Sequence, residues 1–163
     1  MPKIILRTDI YAPIEKVFDL SRSIDFHQTS MSHTSERAIA GRTTGLIELG
    51  ETVTWRARHF GLYLTLTSRI AAMDPPYSFV DEQVKGPFAS FSHQHLFEEI
   101  DGGTHLQDVF EYRSPLGWLG RLADALFLKQ YMEKLLRRRN VTMKYYIEDR
   151  QGQGDPLYHP GGY

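Results

Sequence analysis

Two-residue alternation of apolar and polar side chains runs through most of the first two thirds of the chain, and a recurrence every three or four residues replaces it near the C-terminus. Residues 3–11 open as a strand, with Leu6, Thr8 and Ile10 set against Arg7 and Asp9. Ala12-Pro13 ends it, and Pro13 suits the first turn of a helix, where its missing N–H costs nothing. Glu15 follows near the positive helix end, and Ile14, Val17 and Phe18 share a helical face. Ser23 is placed to cap a second short helix, 23–28, which turns Ile24 and Phe26 inward.

From Glu36 to Arg113 the pattern predicts strand after strand. Residues 37–40 form a weak one. In 51–59, Val53, Trp55 and Ala57 oppose Thr52, Thr54, Arg56 and Arg58. Beyond the turn at Gly61, residues 62–72 set Leu62, Leu64, Leu66 and Ile70 against Tyr63, Thr65, Thr67 and Arg69. Asp74-Pro75-Pro76 breaks the chain. Another strand, 78–84, is closed by Gly86-Pro87, and 89–100 and 105–113 form a hairpin around Asp101-Gly102-Gly103. A helix then covers 119–139, with an extension to 147. Its Leu122, Ala125, Leu128, Met132 and Leu135 make one apolar stripe. At 1.5 Å per residue it spans roughly 30 to 40 Å, enough to cross a domain. The expected class is therefore α+β: about six or seven antiparallel strands with the long helix on the concave face and two short helices after strand one.

Length and composition narrow this further. The chain has 163 residues, 41% of them hydrophobic, which suits one domain with a sizeable core. We expect that domain to occupy 1–150. Residues 151–163, rich in Gly and Pro and without periodicity, are expected to form a flexible tail. There is no cysteine, so thiolate chemistry and disulfides are excluded. Nineteen basic residues against 20 acidic ones leave a formal charge of -1, which gives no field for nucleic acid or an anionic membrane. Arg7 and Asp9 interrupt the start before any apolar stretch of signal length, and the apolar run 122–128 is short and contains Asp124. A cytoplasmic protein without membrane insertion is the expectation.

Particular residues add a resemblance. The opening Ile10-Tyr-Ala-Pro-Ile-Glu-Lys-Val-Phe-Asp-Leu20 resembles the start of the helix-grip (SRPBCC) superfamily, which includes START domains, Bet v 1-like proteins and polyketide cyclases. The segments from Phe79 to Phe88, Phe91 to Phe97 and Gly103 to Tyr112 look like a bacterial, ligand-binding-type branch of it. The likeness covers roughly residues 3 to 147. It implies a cavity between sheet and long helix. Carriers, receptors, cyclases and chaperone activators share that scaffold, so it implies no single activity.

The segment Phe91-x-His93-x-His95-x-Phe97 holds the most chemistry. Alternate strand residues share a face, and the matching face across the hairpin carries Leu106, Asp108, Phe110 and Tyr112. Ser92, Gln94 and Glu98 with His105, Gln107 and Glu111 make the solvent face. His93, His95 and Asp108 thus lie inward among apolar neighbours, where they must satisfy one another, bind water or meet a ligand. Trp55, Leu128 and Met132 serve as core or as pocket wall. Asp81 and Gln83 share a face with Phe79; a bulge near Gly86-Pro87 leaves its side open, with solvent slightly favoured. His59 stands at the sheet end. Arg137-Arg138-Arg139 reads as a basic run complementing a helix C-terminus.

Three functions compete on these residues. A binding module would hold a small, mostly apolar molecule (aromatic or lipid-like), as a carrier, sensor or accessory protein. Its site would comprise Trp55, Phe91, His93, His95, Phe97, Asp108, Phe110, Tyr112, Leu128 and Met132. A cyclase, dehydratase or hydratase would use His93 or His95 as acid/base, with Asp108 orienting it. A protein-interaction domain would carry an incidental cavity, with its partner unspecified. His93, His95 and Asp108 also imitate a two-His, one-carboxylate metal set. Short His-x-His pairs arise often by chance, so the expectation is no metal and no cofactor.

Overall fold

The computed structural model describes residues 1–150, so the expected tail lies outside the described residues. Seven strands form one antiparallel sheet: β1 (Lys3–Ile10), β2 (Arg37–Gly41), β3 (Thr52–His59), β4 (Leu62–Asp74), β5 (Ser78–Lys85), β6 (Ser90–Ile100) and β7 (Gly103–Arg113). Their spatial order is β1-β7-β6-β5-β4-β3-β2. The chain meanders from β2 to β7, and β1 closes against β7. Helices α1 (Ile14–Ser21) and α2 (Ile24–Ser30) carry it from one edge strand to the other.

Local chemistry sets these boundaries. Ser23 Oγ accepts the Phe26 N–H at 3.1 Å, which satisfies one of the unpaired donors of the first turn of α2. Gly102 takes φ +76° in the β6–β7 turn, which a side chain would resist. The β4–β5 pairing slips twice. Opposite Thr67 and Ser68 stand Lys85 and Gln83, so Val84 is an extra residue in β5; opposite Asp81 and Val80 stand Ile70 and Ala72, so Ala71 is extra in β4. Such bulges bend and twist a sheet. The Val84 bulge falls after Asp81, so Phe79 and Asp81 stay on the inner face.

The C-terminal helix is continuous from Gly117 to Asp149 but not uniform. It consists of α3 (Gly117–Ala123), one wide π turn (Asp124–Leu128) and α4 (Lys129–Asp149). The wide turn rotates everything upstream relative to a regular helix, which corrects the expected stripe. Leu135 is buried, Leu128 and Met132 are half-buried, and Leu122 and Ala125 are exposed. The buried stripe of α4 is instead Leu135, Arg139, Met143 and Ile147, at four-residue spacing. Arg139 therefore does not complement a helix end. It lies inside, 4% exposed, with its guanidinium donating to the Ser21 carbonyl at 3.0 Å. Among the described residues, no helix is long and apolar enough to cross a membrane.

Candidate functional site

The three central strands bring the inward polar residues together. Asp81 of β5 pairs with His93 of β6, and His95 pairs with Asp108 of β7. His93, His95 and Asp108 are 7%, 2% and 1% exposed. His93 Nε2 donates to Asp108 Oδ1 at 3.0 Å. His95 Nδ1 lies 2.8 Å from the same oxygen but off the line of a good hydrogen bond. The other carboxylate oxygen, Oδ2, accepts from Asn140 Nδ2 of α4 at 2.5 Å. Arg139 Nη1 stands 3.9 Å from Oδ1. One carboxylate thus ties the sheet to the long helix. His95 Nε2 is 3.9 Å from Asp81 Oδ2, and Asp81 Oδ1 is buried without a partner.

Electrostatics separates the two imidazoles. Burial disfavours ionisation of Asp108, but His93 and His95 outweigh it and hold its carboxyl well below the usual range. Burial also opposes charge on His95, yet its closeness to Asp108 and Asp81 raises its pKa. His93 shifts the other way: burial lowers it, the neighbouring His95 adds to that, and Asp108 only partly offsets both. The rings lie 3.9 Å apart, so a charge on one disfavours a charge on the other. With Asp108 ionised as the acceptor, His93 is a neutral ring protonated on Nε2, with the Nδ1 lone pair free of that bond.

A cavity of about 300 Å³ lies between the inner sheet face and the helix. Trp55, Leu64, Leu66, Phe91 and Phe110 line it from the sheet, and Leu128, Met132 and Leu136 from the helix side. A second cavity of about 90 Å³ extends under α1 and α2. Asp81, His93 and Arg139 border both, so these polar groups form a waist between the apolar larger cavity and the smaller one, whose wall is mixed. At the outer end the β3–β4 turn places Phe60 at φ +52°, 4.5 Å from the Tyr131 ring. His59 Nδ1 is 2.7 Å from the Tyr131 hydroxyl, so this histidine belongs to the cavity wall.

Of the expected site residues, Trp55, Phe91, His93, Phe110, Leu128 and Met132 line the larger cavity, and His95 lines the smaller one. Phe97, Asp108 and Tyr112 line neither, for separate reasons. Phe97 is covered by α1, where its ring meets Phe18 at 5.3 Å. Asp108 is enclosed by its own partners. The Tyr112 hydroxyl donates to Asp124 Oδ1 at 2.8 Å, and Ser114 donates to the other carboxylate oxygen, which ties the π turn to the end of β7. Alternation assigns a face; it does not say which helix covers each point along the strand.

Several wall residues lie beyond what the sequence pattern reveals. Arg139 carries a signal, since a cation four residues from both Leu135 and Met143 interrupts an apolar stripe. Glu36 has none. It is 8% exposed and borders the larger cavity; His27 Nε2 lies 3.3 Å from its Oε1, while Oε2 is buried without a partner.

No family profile matches the chain, and no curated protein matches it in sequence. Solved structures do match in shape. A Thermus thermophilus protein, TTHA0849, superposes with a TM-score of 0.68 at 17% identity, covering 87% of this chain and 97% of its own. Protein Ms6760 from Mycobacterium smegmatis gives 0.68 at 15% identity over 91% and 92% of the two chains. The major latex-like protein 151 of Panax ginseng gives 0.59 at 14% identity over 87% and 97%. A curved antiparallel sheet closed by a long C-terminal helix, shared at nearly full length with these proteins, gives this chain the helix-grip fold.

Proposed function

We propose that the chain binds a small, largely apolar molecule in the space between sheet and long helix, as a carrier, sensor or accessory protein. The observation that carries this reading is a cavity of about 300 Å³ with an apolar wall and a few convergent polar groups at its inner end. That is the usual form of a small-molecule site, at the lower end of the common range of about 300–1,000 Å³. The apolar part of the ligand lies among Trp55, Leu66, Phe91, Phe110 and Met132. Its polar end points to a buried acceptor of the wall that has no protein partner, Asp81 Oδ1 at the waist or Glu36 Oε2 elsewhere on the larger cavity. Each such group carries a desolvation cost of about 1–3 kcal/mol that a donor on the ligand would offset. A ligand with a hydroxyl, amine or protonated acid at one end suits these acceptors better than one ending in a carboxylate. Native mass spectrometry of the chain purified without denaturation tests this. We expect a co-purifying molecule at one per chain; a clean apo mass, with no uptake from a panel of aromatic and fatty compounds, would reject it.

One observation favours a second reading, an enzyme of the cyclase, dehydratase or hydratase type. His93 is a neutral imidazole on the cavity wall, its pKa lowered by burial, and its other nitrogen is held by a carboxylate. That is the arrangement of a general base. Turnover of a bound compound that is lost in His93→Gln while binding persists would establish it.

A further inference from the structure

We propose that His93, His95 and Asp81 bind one divalent transition-metal ion of the zinc or cobalt type at the waist between the two cavities, with Asp108 behind them as the carboxylate that holds His93 and flanks His95. The three residues each offer a ligand atom, and these atoms all lie within 4.8 Å of one another. Two imidazole nitrogens and one carboxylate oxygen form the donor set such ions prefer. Bonds of about 2.0–2.2 Å to a common centre require the donors to close in by about an ångström, within the range of small side-chain rotations.

The arrangement behind the donors is the stronger argument. Metal-ligating histidines characteristically hand their second nitrogen to a carboxylate, which fixes the ring and raises its basicity. Here Asp108 Oδ1 accepts from His93 Nε2 at 3.0 Å and lies 2.8 Å from His95 Nδ1, off the line of a hydrogen bond, so it holds the first ring and flanks the second. That leaves His93 Nδ1 and His95 Nε2 clear of Asp108. His95 Nε2 is the atom nearer Asp81, 3.9 Å from its Oδ2. Asn140 then holds Asp108 from behind. Asp81 Oδ1, buried without a partner, has no explanation within the hydrogen-bond network of the core. The ligand set therefore differs from the one legible in sequence, because Asp108 supports the imidazoles and Asp81 takes the coordinating place.

Three protein ligands leave a coordination position open, at a place where Asp81 and His93 border both cavities and His95 borders the smaller one. Open sites of this kind are those where a metal meets a ligand rather than merely stapling a fold. The inference rests on the side-chain cluster alone and stands whether or not the cavity takes an apolar molecule.

The test is titration of the tag-free, chelator-treated full chain with Zn²⁺ by calorimetry and with Co²⁺ by visible absorption. We expect one ion per chain, cobalt d–d bands of a low-coordinate nitrogen/oxygen site, and their loss on adding Zn²⁺. Asp108→Asn should weaken binding by about 10- to 100-fold. Asp81→Asn and His95→Gln should weaken it at least as much, whereas His33→Gln should leave it unchanged. Asp81→Asn is isosteric and removes a charge without a full set of partners, so it decides the matter even if His95→Gln fails to fold. Absence of stoichiometric binding, or binding that Asp81→Asn leaves intact, would overturn the proposal. Uptake of an apolar probe is read separately, so a failed metal titration does not bear on the cavity's apolar ligand.

Discussion

The inner face of the sheet carries aromatic rings at both ends, and only one end is closed. At the first, Phe18 sits edge-on to Phe79 and Phe97, at 5.6 and 5.3 Å, within a cluster that Phe26, Met143 and Ile147 complete. Helices α1, α2 and the C-terminal half of α4 converge there and consume the apolar surface. At the second, Phe91, Phe110 and Tyr112 form a comparable cluster, but the helical side chains above it, Leu128, Met132 and Leu136, are only partly buried. One helix covers this end, and it does so across a π turn. The same kind of side chain makes core where several helices meet and makes a pocket wall where a single helix bridges the sheet. The ionised waist lies at the border between the two.

Breaking the closed end should cost most. Phe18→Ala should lower unfolding free energy by about 3–5 kcal/mol. Asp108→Ala should cost a similar amount, about 3–5 kcal/mol, because Arg139 would be left buried without its carboxylate. Chemical denaturation measures both; a loss near zero for Asp108→Ala would show that the waist is not a structural tie. At the open end, Met132→Ala should cost no more than about 2 kcal/mol, the bottom of the range for a buried methionine. Met132→Trp sharpens the contrast. It adds volume into free space, so stability should change by less than the roughly 1–3 kcal/mol that overpacking costs in a filled core.

The waist also predicts a pH dependence. Asp108 is depressed in the folded state, so its contribution is present above the unfolded value near ~3.9 and is lost as pH falls through the lower folded value. His95 is raised, so its contribution is full below about 6.5 and is lost as pH rises through the folded value. His93 is lowered and works against His95 over the neutral range. Asp108→Asn should therefore flatten the acid limb of the stability profile, measured by urea denaturation from neutral pH downward. An acid limb as steep as that of the unsubstituted chain would contradict the assignment.

The smallest effect concerns the division of the chain into a domain over 1–150 and a tail. Truncation after Arg150 should leave the melting temperature unchanged; a large drop would place residues 151–163 within the folded unit.

The two ends also differ in how far they are legible in sequence. The strands read well, because one face of each meets helices and alternation records it: Val53, Trp55, Phe91, His93, His95, Leu106 and Asp108 are buried as their parity requires. Asp81 is ambiguous because the Val84 bulge breaks the alternation that would place it. The helix is harder to phase. A regular period extrapolated through 124–128 puts Leu122 and Ala125 on the inner stripe, and the π turn sends them outward. Arg139 looks like a helix-end residue only if the helix weakens after it, whereas α4 runs on to Asp149. Glu36 precedes a weak edge strand and has no periodic neighbour to reveal its side. The cavity itself is a property of how helices and sheet meet, and no local pattern encodes it.

The central claim is that the space under Met132 takes an apolar molecule. The direct measurement is a calorimetric titration of the chain and of Met132→Trp with a panel of aromatic and short fatty compounds. One member at least should bind the unsubstituted chain at one per chain, with a negative heat-capacity change, and fail to bind Met132→Trp although that variant remains folded. If no compound binds, or if Met132→Trp binds as well as the unsubstituted chain, the cavity is not the site.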